Sequence, residues 1–161
     1  MPSSPMLSSY LPFAQTLRAG GFAEPEAGWN ASQIGAHISL SNEQFSDLAD
    51  RLRNGEDVSY DNSEASDPER LLGYASRHGD LAGLANAIEA SAARLSEAYD
   101  RLTPDQRQRP VPVTIRHEGE VVRDSPMAIG DLIVGNGDFH LAMHHKQLQD
   151  LRKDGDDGSA G

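Results

Sequence analysis

Histidine is the residue type in this 161-residue sequence best suited to chemistry, and it occurs at His37, His78, His117, His140, His144 and His145. Cysteine is absent, which removes disulfides, thiolate ligands and cysteine nucleophiles together. His140 and His144 stand four residues apart, so on a helix their directions differ by about 40° and both imidazoles reach one point in space. His145 lies about 140° from His140 around the same helix and faces elsewhere. His78 precedes Gly79 at a helix C-terminus, where a partly charged imidazole suits the dipole. His117 adjoins a turn and is expected in solvent. His37 sits with Ile34, Ile38 and Ser41 on the inner stripe of its own helix.

Three inward imidazoles need a partner for each polar nitrogen, because an unpaired buried polar group costs on the order of 1–3 kcal/mol. Hydrogen bonds within the core are one solution. A shared divalent metal ion is the other, since a histidine pair four apart plus one histidine from a facing helix makes a three-ligand platform. The run HLAMH lacks the glutamate of HExxH, which disfavours a protease of that type.

Helices must position these groups. A first helix is expected over about 5–19, closed by Gly20-Gly21. The second, to Arg53, has Asn30 as cap and Gln33 reaching back. Trp29 and Ile34 stand at the staple positions, and Ile34, Ile38, Phe45, Leu48 and Leu52 form the apolar stripe. Ser66 and Glu69 read as a capping box for a short helix to about Arg77, and a longer helix follows from Asp80 to about Leu102.

VPVTIRH and EVVRD read as a hairpin over 111–124, turning at Glu118-Gly119, with Pro112 confining its strand to an edge. Ser125-Pro126 resembles a helix start, predicting one last helix over 126–151 that turns Met143, Ile129, Ile133 and Asn136 inward beside His140 and His144. That helix contains Gly130, Gly135 and Gly137, each costing roughly 1 kcal/mol against alanine in a helix interior. Either it is intrinsically weak or another backbone or a ligand approaches it closely. The expected architecture is all-α: a four-helix bundle over 5–152 with a small β-hairpin inserted before the last helix. Loose ends are expected at 1–4 and at the acidic, glycine-rich 153–161.

Lys+Arg number 14 against 25 Asp+Glu, a formal net charge of −11. Such a surface repels phosphate backbones and anionic leaflets, so nucleic-acid and membrane partners are not expected. No leader-like or membrane-spanning run is visible, which makes a cytoplasmic location the expectation.

Three stretches carry a family resemblance, one of them Ala90-Ser91-Ala92-Ala93-Arg94-Leu95 with the hairpin VPVTIRHEGEVVRDSPMAIGDL, which is similar to the region joining the family's third and fourth helices. Gly28-Trp29-Asn30 followed by His37-Ile38, and His140, His144, Gln147 and Leu148 on the last helix, resemble the DinB-like superfamily. Within it, the nearest group is the N-terminal domain of mycothiol-dependent maleylpyruvate isomerases and related thiol transferases. The resemblance implies an up-down-down-up bundle, often paired into a homodimer. It also implies a divalent metal, zinc or nickel, held by His37, His140 and His144. Mycothiol or bacillithiol would be the cosubstrate, its thiol activated for attack on a small electrophile. Those isomerases carry a further C-terminal domain, so a thiol S-transferase is expected rather than maleylpyruvate isomerisation itself. Asn136 and Ser41, each one turn from a ligand, are the candidate supporting or substrate contacts. The alternative is a non-catalytic metal-binding bundle acting in a stress response or as a dimeric interaction protein.

Overall fold

A computed structural model of the chain describes residues 5–117 and 119–152. The ends at 1–4 and 153–161, expected to be loose, lie outside the described residues, as does Glu118 of the expected turn.

Helix α1 (Pro5–Ala19) ends where Gly20 and Gly21 take positive φ, a conformation that costs glycine nothing. Helix α2 (Ala31–Arg53) begins at the expected capping box. The Asn30 side chain accepts from the Gln33 N–H, and the Gln33 side chain accepts from the Asn30 N–H. Helix α3 (Pro68–Arg77) and helix α4 (Leu81–Arg101) follow, the latter capped by the Asp80 carboxylate on the Gly83 N–H. A one-turn helix α5 (Pro104–Arg107) has its own capping box from Thr103 and Gln106. Thr103-Pro104 thus ends α4 and also starts a new turn. The last bundle element is helix α6 (Ile129–Gly135), a π-helical turn over Asn136–His140, and helix α7 (Leu141–Asp150).

Helix α4 packs against both α1 and α2, and α7 lies against α1 and α2, which makes the four-helix bundle. The core has two apolar regions. Phe13, Leu17, Ile34, Ile38, Leu84, Ile88 and Leu148 build one, while Phe45, Leu48, Leu52, Leu95, Ile129 and Ile133 build the other. Buried His37, Ser39, Ser41, Asn42, Ser91, Asn136 and His144 belong to neither apolar cluster. Trp29 packs against the cluster that holds Ile34, as the staple requires. Among the described residues, no helix is long and apolar enough to cross a membrane.

The hairpin is present as β3 (Val113–His117) antiparallel to β4 (Glu120–Asp124). A strand from the acidic loop, β1 (Tyr60–Asp61), pairs in parallel with the other side of β3. So β3 is central rather than an edge. Pro112 is tolerated because it lies just before β3, and its carbonyl still accepts from the Tyr60 N–H at 2.9 Å.

Four further local readings are corrected. Ser66 closes a 3-10 turn over Glu64–Ser66 instead of capping α3, whose N-cap position is Asp67, with Pro68 first in the helix. The last helix starts at Ile129, not near Ser125. Met127–Ala128 (β5) is taken up by antiparallel pairing with Pro110–Val111 (β2), and the Ile129 N–H donates to the Arg109 carbonyl. The last helix is not continuous, because the π turn interrupts it. Met143, expected inward, is 58% exposed, while Ile129, Ile133 and Asn136 are buried as expected.

Candidate metal centre

His37 projects from the second turn of α2 and is 2% exposed. His140 closes the π turn, and His144 follows one turn into α7. The Nε2 atom of His140 lies 3.2 Å from His37 Nε2 and 3.0 Å from His144 Nε2. One ligand atom from each of the three falls within 4.8 Å of the others.

The opposite nitrogen of each ring is already engaged. His37 Nδ1 meets the Ala65 carbonyl at 2.5 Å, His140 Nδ1 meets Asn136 Oδ1 at 2.9 Å, and His144 Nδ1 meets Gln147 Oε1 at 2.8 Å. A carbonyl only accepts, so His37 carries its proton on Nδ1 and leaves a lone pair on Nε2. Asn136 is oriented independently, because its Nδ2 donates to the Tyr10 hydroxyl at 3.0 Å and to Asn42 Oδ1 at 3.5 Å. Its oxygen therefore faces His140 and fixes the same tautomer there. The Gln147 amide engages His144 Nδ1 without a second hydrogen bond to orient it, so the His144 tautomer is set by what its Nε2 meets.

Burial keeps all three rings neutral. Desolvation, joined by the neighbouring His144 and His140, brings His37 down to about 3. Desolvation and His144 bring His140 down to about 4, and burial also lowers His144. The Nε2 lone pairs of His37 and His140 thus converge with His144 Nε2, three neutral imidazole nitrogens that one cation can share. Two nitrogens of a tetrahedral zinc ion, each at about 2.0–2.1 Å, lie roughly 3.3 Å apart. The His140–His37 and His140–His144 separations of 3.2 and 3.0 Å lie near that spacing, and the groups behind each ring are the outer partners that metal-bound imidazoles need. The three residues fit a divalent ion.

The remaining candidates divide. Asn136 stands directly behind His140, as its position one turn earlier implied. The Ser41 hydroxyl is buried without a hydrogen-bond partner and does not line the cavity beside the histidines. His145 does face elsewhere, with Nε2 2.9 Å from Thr16 Oγ1 and its ring edge-on to Phe13. His78 caps α3, and His117 is exposed on β3.

Several contributors escaped the sequence reading. Ala65 acts through its carbonyl, which no side-chain pattern reveals. Trp29 lies over two of the rings, with centroids 4.9 Å from His37 and 5.9 Å from His144. A cavity of about 350 Å³ opens against His37 and His140, walled by residues from α2, β1, β3, β5 and the last helix. Phe139, 80% exposed, and Met143 stand among its lining residues.

Comparison by structure finds the same bundle elsewhere. The chain matches the crystal structure of the mycothiol-dependent maleylpyruvate isomerase with a TM-score of 0.67 and 18% sequence identity. The fold is DinB-like. The match covers 89% of this chain and 56% of that one, so the DinB-like bundle spans little more than half of the isomerase's length. Neither a family model nor a curated protein matches the sequence.

Proposed function

We propose that His37, His140 and His144 hold a divalent ion, zinc or nickel, and that the bundle is a metal-dependent thiol S-transferase. The observation that carries this is the convergence of three neutral imidazoles through Nε2, each ring engaged from behind through Nδ1. Three protein ligands leave a position open, which is the pattern of a catalytic site rather than a structural one. An ion held there supplies a Lewis acid at which a low-molecular-weight thiol gives up its proton at neutral pH.

The chain's own groups do the rest. Ala65 and Asn136 keep His37 and His140 in the tautomer that binds, and Gln147 engages His144 from behind. Trp29 covers two of the rings, and the cavity beside His37 and His140 holds the electrophile. The isomerase with the same fold is mycothiol-dependent by name, which supports mycothiol or bacillithiol as the thiol. A second reading, a non-catalytic metal-binding bundle that docks a partner, is favoured by the exposed Phe139 and Met143.

The deciding experiment is elemental analysis of protein purified without added metal, then assay of the loaded protein with a thiol panel and a generic electrophile. Stoichiometric zinc or nickel with thiol-dependent turnover supports the enzyme. Stoichiometric metal with no turnover for any thiol supports the second reading.

A further inference from the structure

The wall of the cavity beside the histidines has a chemistry of its own. Phe45, Ile115, Met127, Leu132, Phe139 and Met143 contribute apolar surface, and no lysine or arginine is among the lining residues. The polar lining groups are already committed. Asn62 gives Nδ2 to the Arg116 carbonyl at 2.9 Å and takes the Arg116 N–H on Oδ1 at 2.8 Å. Asn136 is spent on His140, Tyr10 and Asn42. His37 and His140 turn only lone pairs inward. Arg116, next to Ile115 in the chain, has its Nε 3.8 Å from an Asp61 carboxylate oxygen. That leaves the Tyr60 hydroxyl to meet a polar atom of a ligand. Away from the ion, whose open position the thiol takes, a carboxylate entering this space would lose its water and find no side-chain cation or spare amide, in a protein of net charge −11.

We infer that this cavity selects a small, uncharged, mostly apolar electrophile, of the size of one substituted aromatic ring, and rejects carboxylates. The size follows from the volume, since about 150 Å³ of apolar cavity already holds benzene and this cavity offers about 350 Å³. The inference rests on the thiol-transfer reading for the word electrophile, and on the wall alone for the selectivity. It also separates this chain from the substrate in the isomerase's name, because maleylpyruvate carries carboxylates at both ends.

The test uses matched pairs on the full chain. Nitrobenzene and nitrobenzoate are titrated into the metal-free protein while the Met127 and Met143 methyl resonances are followed by NMR. Chlorodinitrobenzene and chlorodinitrobenzoate are then compared as substrates of the zinc-loaded protein with a thiol. In that transfer the S–C bond forms, chloride leaves with the C–Cl electrons, and the S–H proton goes to solvent.

Nitrobenzene should shift both methyls and bind at least about tenfold tighter than nitrobenzoate. Met143→Lys, at a rim position where a charge can reach solvent, should narrow or reverse that preference. Equal or tighter binding of nitrobenzoate, unmoved methyls with both probes, or an unchanged preference in Met143→Lys would overturn the selectivity. Absence of turnover with either electrophile, while the binding preference persists, would sink the thiol-transfer reading and leave the selectivity standing.

Discussion

Helix α2 and the last helix supply the two halves of the centre, and they are built differently. Helix α2 is 23 residues long and starts at a reciprocal side-chain cap, with one apolar stripe along its length. It fixes a single ligand, His37. The last helix starts at Ile129, after an N-cap residue Ala128 that makes no side-chain hydrogen bond, and supplies one ligand at the end of a π turn and the other one turn later. In that turn the Leu141 N–H reaches back five residues to the Asn136 carbonyl. A wider turn brings side chains four apart nearer to direct superposition, so Asn136 stands behind His140. Local propensity makes the first half, and tertiary contacts impose the second. The π turn is where the chain departs from a regular helix in order to aim a side chain.

Acid should act on both halves and give the largest effect. Unfolded, these imidazoles take up protons near their ordinary value of 6.5, whereas folded His140 and His37 hold out to about 4 and about 3. The unfolded chain therefore binds more protons across that interval. Stability of the metal-free protein is fully present above pH 6.5 and falls as pH drops through it, by about 1.4 kcal/mol per pH unit for each group. Denaturant midpoints measured between pH 7 and pH 4.5 check this. In an NMR titration, His140 on the broken helix should protonate before His37 on the regular one.

Removing a ligand from either helix comes next. His37→Ala and His140→Ala should each weaken zinc binding by more than about 100-fold, read as metal retained after gel filtration. His145→Ala and His78→Ala should keep the ion, since those rings are engaged with Thr16 and at the end of α3. Unequal losses would show that one helix alone carries the site.

A smaller effect tests the support behind the rings. Asn136→Leu should cost about 10–100-fold in zinc affinity, the usual range for an outer hydrogen-bond partner. Gln147→Leu, at a half-buried position with no second hydrogen bond to orient its amide, should cost less. Competition with a chelator of known affinity measures both.

The smallest effects concern the glycines. A Cβ at Gly135 would meet nothing within 4 Å, so Gly135→Ala should raise stability by about 0.5–1 kcal/mol. A Cβ at Gly130 would lie 3.0 Å from the Arg107 carbonyl oxygen, so Gly130→Ala should lower it. Thermal melts of the two variants separate a weak helix from a close approach, and both causes operate at different positions.

That division also explains what the sequence made legible. The Asn30–Gln33 cap, the stripe from Ile34 to Leu52 and the pairing of His140 with His144 are written within a few residues of themselves. Their neighbours in the fold confirm them without altering them. The false helix start at Ser125 and the false cap at Ser66 had the right residue types. Backbone pairing with Pro110–Val111 took up the segment after the first, and a 3-10 turn claimed the second. Partners distant in sequence decide such cases, and a local window does not contain them. The Ala65 carbonyl and the Trp29 ring contacts are of the same kind, visible only once the loop and α2 are brought together.

The central claim is that three particular Nε2 atoms bind one ion. It is tested most directly by titrating zinc into the metal-free protein while recording the imidazole nitrogens by NMR. The account predicts three rings protonated on Nδ1 at neutral pH once zinc is bound, those of His37, His140 and His144. Their Nε2 resonances should shift together and saturate at one equivalent, with His78, His117 and His145 unmoved. Saturation with any of the three unshifted, or zinc taken up through His145 in their place, would contradict it.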